Sequence, residues 1–480
     1  MNTQTLQRRV CQASALAVLL GTGLLYLAPS LSAGQQSAAA QPATAGAPTF
    51  SKDIAPVFQK KCQVCHQPGS IAPMSLLTYA DARPWARSVK ERVVSRKMPP
   101  WPIDKTVGIQ EFTNDLSLSD HDIDLIAQWV DAGAPQGDPA DMPLPVKWPD
   151  YVNSWRYEER FGRPPDLVVE SPAYNVVANG MDQFPPMQTK ITGLTKERWI
   201  RAIEIKPANP DGRRDERRAL AVVFHHANPS LKQDGKSSPL IASAVGTEGQ
   251  IFPDDAGKLI KPDASVNFGM HFWPIAKDVK AVMVLGLWFY PEGQRPQFET
   301  QGQVQFRADM STGAATPSKH SREIARRGDL LIPPNGTAMY QGTYVLDKPA
   351  RIHDLRGHMH VRGKYQIVEA IYPDGRREVI NKLNWDHGWH TTFVYEPNVR
   401  PLLPKGTVLI TTSMFDNTPH KGNPDPDQWV VAGSRTVDEM SHIWIGMTFF
   451  EKEEDFKKLV AEREQLRRSE PKVSTPASRD

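Results

Sequence analysis

The chain has 480 residues, 40% of them hydrophobic, enough for about three packed domains. Its 57 basic and 54 acidic residues nearly cancel, which speaks against a nucleic-acid groove or a polybasic membrane surface. The 42 prolines exceed the usual share of about 5% and favour loop-rich β architecture over a helical bundle.

At the start of the chain, Arg8 and Arg9 precede an apolar run from Ala15 through Leu27 and small residues from Ser30 to Ala33, the pattern of an export signal over residues 1–33. A retained N-terminal anchor is the other reading of so short a run. The signal reading makes this an exported, periplasmic protein with no stable membrane span after cleavage. Cys11 lies within the signal, so the mature chain keeps only Cys62 and Cys65, too few for a disulfide framework. Residues 34–47, rich in Ala, Gln, Pro, Gly and Ser, read as a flexible linker.

Order is expected from about residue 48. Ser51 reads as the cap of a short helix whose Ile54, Val57 and Phe58 share one face and which leads into Cys62. A second helical stripe carries Trp85, Val89 and Val93. A third helix starts at Ser119, carries Ile123, Ile126 and Val130 at helical spacing, and stops at Gly133 and Pro135. Residues 48–138 therefore read as a small all-α unit. A Pro- and Asp-rich stretch from Gly137 to Asp150 separates it from a region of strand character. There Ala281–Tyr290 reads as a buried strand, and Tyr365–Tyr372 and Glu378–Ile380 flank Pro373-Asp374-Gly375 as a hairpin. The expected architecture is multidomain: the all-α unit, then two all-β sandwich (jelly-roll-like) domains over 151–345 and 346–451, then a charged tail over 452–480 with helical character up to Arg468.

Cys62-Gln63-Val64-Cys65-His66 is the covalent attachment signature of a c-type haem, in which two thiols add to the vinyl groups and the histidine ligates the iron. A zinc or thiol-redox use of the cysteine pair fits less well with the adjacent histidine and the export signal. Met98, in Met98-Pro99-Pro100-Trp101, is the first choice for the sixth iron ligand, with Met74 and His121 competing. The stretch from Phe50 to Asp138 resembles the cytochrome c domain family over nearly its whole length.

Five histidines form three further groups: His225-His226, His271 in Gly269-Met270-His271-Phe272, and His358-Met359-His360. Imidazole and thioether donors suit copper better than magnesium or calcium. On a strand, His225 and His226 point to opposite sides unless a bulge or a strand end re-aims one, whereas His358 and His360, two apart, face the same way. With these groups in this order, the region from about Trp155 to Glu451 resembles the copper type II, ascorbate-dependent monooxygenases, the peptidylglycine α-hydroxylating and dopamine β-hydroxylating enzymes. The resemblance implies two copper ions, one held by His225, His226 and His271 and the other by His358, His360 and a methionine. Met440, in Asp438-Glu439-Met440, matches the family's methionine segment, and Met414 is the weaker candidate because no Asp-Glu flank precedes it.

The resemblance further implies dioxygen and an organic C–H substrate at the methionine-ligated copper. Electrons from a small reductant or a protein donor would enter through the haem. The chain departs from the family in three places. It has no cysteines for bracing disulfides, Gly269 stands where the family has a glutamine, and Trp444 stands where it has a tyrosine. Arg356 matches a position that contacts a substrate carboxylate in the peptide-amidating branch, and could equally be a surface charge. His387 and His390, beside tryptophans, and His320, His353, His420 and His442 stay outside the metal set. The rival reading is a haem and copper electron-transfer or copper-binding protein that oxygenates nothing.

Overall fold

The computed structural model describes residues 46–68, 70–148, 154–208, 220, 222–244, 249–307, 321–323 and 330–469. The expected export signal, Cys11, the linker up to residue 45, His320 and the end of the tail from residue 470 lie outside the described residues. The described chain is predominantly β. No helix among the described residues is long and apolar enough to cross a membrane.

The helical part begins with the turn Phe50–Ile54, which runs into helix Ala55–Lys61 and ends at Cys62. Thr49, not Ser51, holds the capping position, and its backbone N–H donates to Asp53 Oδ2 at 2.7 Å. The helices Ala86–Val94 and Asp120–Asp131 pack on this start through a core of Phe50, Phe58, Val89, Ile123, Ile126 and Trp129. Asp120–Asp131 carries the expected cap: Ser119 Oγ accepts from the Asp122 N–H, and the Asp122 carboxylate answers the Ser119 N–H. Trp129 takes the fully buried position and Val130 only borders the core.

Residues 48–138 are not helical throughout. Ile103–Gly108 is a strand that pairs antiparallel with Arg377–Asn384, Ile103 opposite Leu383 and Gly108 opposite Asn381. The cause is apolar: Trp101, Ile103 and Phe112 bury themselves beside Phe393 and Tyr395 in a β-sandwich core. Gly108, at φ +76°, lets the chain pass against the Ile380 carbonyl where any side chain would collide.

That core lies between two sheets. One has six strands in the order Ile103–Gly108, Arg377–Asn384, Gly363–Ile371, Val408–Asp416, Thr337–Leu346 and Ser321–Glu323. The facing strands Phe298–Arg307, His442–Phe449 and Ala350–His358 belong to a ten-stranded sheet. This sheet runs on into the preceding region through a parallel pairing of Ala256–Ile260 with Phe298–Arg307. The boundary expected at 345/346 therefore falls among strands of one sandwich, because Val304, Phe306, Tyr344 and Leu346 share a core with Ile352 and Ile443. A separate core of Ile200, Ile203, Phe224, Phe268, Phe272 and Leu285 holds the region before it. The hairpin at Pro373-Asp374-Gly375 forms as expected, with Ile371 opposite Arg377. Helix Glu453–Ser469 closes the described chain, and its Phe456 packs on Phe450.

Candidate metal centre

Strand Met270–Phe272 pairs antiparallel with Phe224–Ala227, His271 opposite His226, while the next residue, Phe272, lies opposite Phe224. The register thus skips His225, an extra residue that bulges out of the ladder and turns toward the same side as His226. One ligand atom from each of His225, His226 and His271 lies within 4.8 Å of the others. His271 Nδ1 stands 3.0 Å from His226 Nε2. Its Nε2 is 3.3 Å from Asp182 Oδ2, a contact too poorly aligned to count as a hydrogen bond. Asp182 also accepts from the Thr436 N–H and Oγ1–H at 2.9 and 3.0 Å, tying this trio to the loop before Asp438. Burial pushes the Asp182 carboxyl up, but the adjacent His271 imidazole and the hydrogen bonds from Thr436 outweigh it and hold the group well below the usual carboxylate range. A carboxylate behind a ligating imidazole fixes its orientation and raises its basicity.

His358 ends strand Ala350–His358, with His360 two residues on, their ring centroids 5.4 Å apart. The Asp438-Glu439-Met440 segment is fastened to them. Glu439 accepts the backbone N–H of His360 at 2.9 Å and of Arg362 at 2.7 Å, and the Asp438 carbonyl lies 2.9 Å from His360 Nδ1. That contact leaves His360 Nε2 as the nitrogen available to a metal. Met440 is half-buried at the end of this segment. Met414 lies opposite Met339 and Tyr365 in the ladder. It alternates with Ser413, whose hydroxyl meets Gln366 and Ser441 at 2.9 and 2.6 Å, so Met414 sits on the other face of the sheet. Gln366 in turn accepts the His358 N–H at 3.0 Å, placing the Ser413 face beside the histidines.

The two groups adjoin: the ring centroids of His226 and His358 are 5.5 Å apart. Three histidines set aside in the sequence reading also belong here. His442, opposite His358 in the ladder, stacks on it at 4.4 Å. His390 lies 5.4 Å from His358 and 5.6 Å from His225, and His387 lies 5.7 Å from His225. No local spacing announces these three, because strand pairing and a loop bring them in from 30 to 160 residues away (roughly, counted along the chain). Burial lowers six of the imidazoles: His225 falls to about 3 and His360 to about 4, and His226, His358, His390 and His442 fall well below the ordinary value. They are neutral at physiological pH, the form that binds metal.

Arg356 is not a surface charge. It is 1% exposed, donates from Nη1 to the Ala242 carbonyl at 2.5 Å and lies over the Trp444 ring, and burial pulls its guanidinium down to about 9. A cavity of about 180 Å³ opens beside the cluster, lined by His225, Trp273, His387, Gly388 and His390. A larger one of about 350 Å³, among Tyr372, Arg376, Arg463 and Arg467, holds none of the histidines.

In the helical part, Cys62 and Cys65 are not joined in a disulfide, and His66 Nδ1 lies 3.2 Å from the Met74 carbonyl, leaving Nε2 open. Met74 therefore engages His66 through its backbone. The large apolar side chains Ile71, Trp85, Val94 and Met98 in this part are each more than 40% exposed. His121 is exposed on the first turn of Asp120–Asp131.

No family model matches the chain, and no curated protein matches it. Among solved structures, PNGase F, a glycosylasparaginase from Flavobacterium meningosepticum, is 10% identical over 60% of this chain and 97% of that one, with a TM-score of 0.26. A Paenibacillus xanthan lyase is 10% identical over 65% of this chain and 28% of that one, with a TM-score of 0.17. Likenesses at those scores carry no argument about fold or activity.

Proposed function

We propose that the chain is an exported, copper-dependent monooxygenase that hydroxylates a C–H bond with dioxygen and receives electrons through a covalently bound c-type haem. The observation that carries this reading is the buried histidine cluster, in which His225, His226 and His271 converge within 4.8 Å beside His358 and His360. Neutral imidazoles gathered away from water have no packing advantage over apolar side chains, and several leave a ring nitrogen without a hydrogen bond, including His226 Nδ1 and His442 Nδ1. A metal ion satisfies such a donor set, and all-imidazole donors suit copper.

His225, His226 and His271 would hold one ion, and His358, His360 and Met440 the other. Copper so held supplies one-electron redox chemistry and a coordination position for dioxygen. The protein's own part is orientation and exclusion of water. Asp182 aligns His271, the Asp438 carbonyl aligns His360, and Glu439 clamps the backbone on both sides of Val361. The cavity beside Trp273 is the approach for a small substrate. Cys62, Cys65 and His66 would hold the haem, with Met98 as the sixth ligand. The exposed Ile71, Trp85 and Met98 fit an apolar face that a flat macrocycle would cover.

The test is oxygen uptake by the copper-loaded protein with ascorbate and a panel of small C–H substrates, each assayed with isotopically labelled dioxygen. Transfer of one labelled oxygen atom to a product supports the oxygenase. Rapid haem and copper redox cycling without a labelled product supports the electron-transfer rival.

A further inference from the structure

His387 and His390 enter neither expected copper set, yet they line the open cavity together with His225. Their ring centroids are 6.1 Å apart with planes inclined at 62°. An ion about 2 Å from an imidazole nitrogen sits roughly 3.2 Å from that ring's centroid, so two rings on opposite sides of one ion have centroids about 6.4 Å apart. The observed spacing is close to that limit and leaves room for one ion between the two rings with little side-chain movement. Both ring nitrogens of His387 are buried without a hydrogen-bond partner among the described residues, a state that burial makes costly unless something else satisfies them.

We infer that His387 and His390 form a third metal site, separate from the two expected copper sets, which takes a single cuprous ion in two-coordinate geometry. The donor count decides the ion. Zinc demands four ligands in a tetrahedron, and hard divalent ions demand oxygen donors. With the neighbouring His225 and His358 assigned to the inner sets, two imidazoles remain here, with Trp385 4.7 Å from His390 and Trp273 6.4 Å from His387. A closed-shell monovalent copper ion is satisfied by two nitrogen donors in line and tolerates an apolar surround. Trp273 is 41% exposed and marks the rim of the cavity that this pair shares with His225. His225, 5.7 Å from His387 and 5.6 Å from His390, borders this pair as well as belonging to the inner trio.

The experiment is an anaerobic Cu(I) titration of the full, haem-bearing, metal-stripped chain against bicinchoninate, with the wild type and His387→Gln compared. The expected result is one fewer Cu(I) per chain in His387→Gln. Equal stoichiometry in the two proteins overturns the site. Because the readout is a difference between proteins, it stands apart from whether the inner groups take copper or oxygenate anything. Wild-type crystals soaked in Cu(I) provide a measurement that no folding defect can obscure. A copper anomalous peak between the rings of His387 and His390 supports the site, and its absence at full occupancy of the soak overturns it.

Discussion

Gly269 passes so close to Asn228 that a Cβ added to it would stand 2.5 Å from the Asn228 carbonyl oxygen, and its φ is +55°. The copper type II monooxygenases have a glutamine at the matching position, and this backbone cannot carry one without moving. Two residues on, His271 owes its place to the same turn. Gly269→Gln should therefore cost at least the roughly 1–2 kcal/mol of a left-handed non-glycine residue and displace His271 from His226. A lowered thermal midpoint, together with loss of one bound copper while the His358 and His360 ion is kept, is the expected outcome. Copper content by plasma mass spectrometry checks it, and full content at unchanged stability would show that the turn is more pliant than the close approach implies.

Met440 is the next test. Its segment is fixed to His360 through Asp438 and Glu439, whereas Met414 lies on the far face of its strand. Replacing Met440 with isoleucine nearly conserves volume, so stability should fall by less than about 1.5 kcal/mol. Turnover should drop by roughly 100-fold through loss of a ligand. Met414→Ile should leave turnover within a factor of about two, as an exchange away from the site. Steady-state oxygen uptake with urea denaturation of each variant separates ligand loss from unfolding. The opposite pattern would move the thioether to Met414.

Asp354 gives a pH dependence. It is 1% exposed and accepts from the side chains of Gln250 and Gln303, both at 2.7 Å. Burial, only partly offset by the Gln303 hydrogen bond, pushes its carboxyl up to about 6. The folded state then binds a proton that the unfolded chain releases near its ordinary value of about 3.9, so stability falls as pH rises between those limits. The loss is about 3 kcal/mol and is complete above pH of about 6. Asp354→Asn cannot ionise, so its stability should fall less than the wild type's between acid and neutral pH. Urea melts across that range check the sign, and parallel curves for the two proteins would remove Asp354 as the source.

Much of this was readable in advance, and the exceptions have physical reasons. Local patterns worked where the signal is local: the Ser119 cap and the Pro373-Asp374-Gly375 hairpin both depend on residues a few positions apart. That a bulge or a strand end must re-aim one ring of the His225-His226 pair was also visible, because alternation on a strand would otherwise separate them, and the structure supplies the bulge. Long-range pairing was not visible. Nothing within Ile103–Gly108 states that its partner is Arg377–Asn384, and nothing around His442 states that it will stand opposite His358. His387 and His390 looked like loop histidines packing on tryptophan, which they do. Their position at the mouth of the cluster depends on where the sandwich sets that loop. Asp182 left no trace at all, since an isolated aspartate acquires meaning only when His271 and Thr436 meet it.

The last prediction joins the helical part to the histidine cluster. Cys62 and Cys65 follow helix Ala55–Lys61 and form no disulfide, and Cys62 only borders the core that Phe50, Phe58 and Trp129 hold together. Changing both to alanine removes the proposed covalent anchor for haem without breaking a disulfide or emptying that core, so the β-sandwiches should fold as before. With a small chemical reductant the variant should retain turnover, since such a molecule can reach the cluster through the cavity beside Trp273. With a protein electron donor, which is too large for a cavity of about 180 Å³, turnover should be lost. Stopped-flow mixing with a reduced donor, followed at the haem absorbance and by freeze-quench copper EPR, should show haem reduced before copper in the wild type. Copper reduced at an unchanged rate in Cys62→Ala/Cys65→Ala would place the electron entry elsewhere on the molecule.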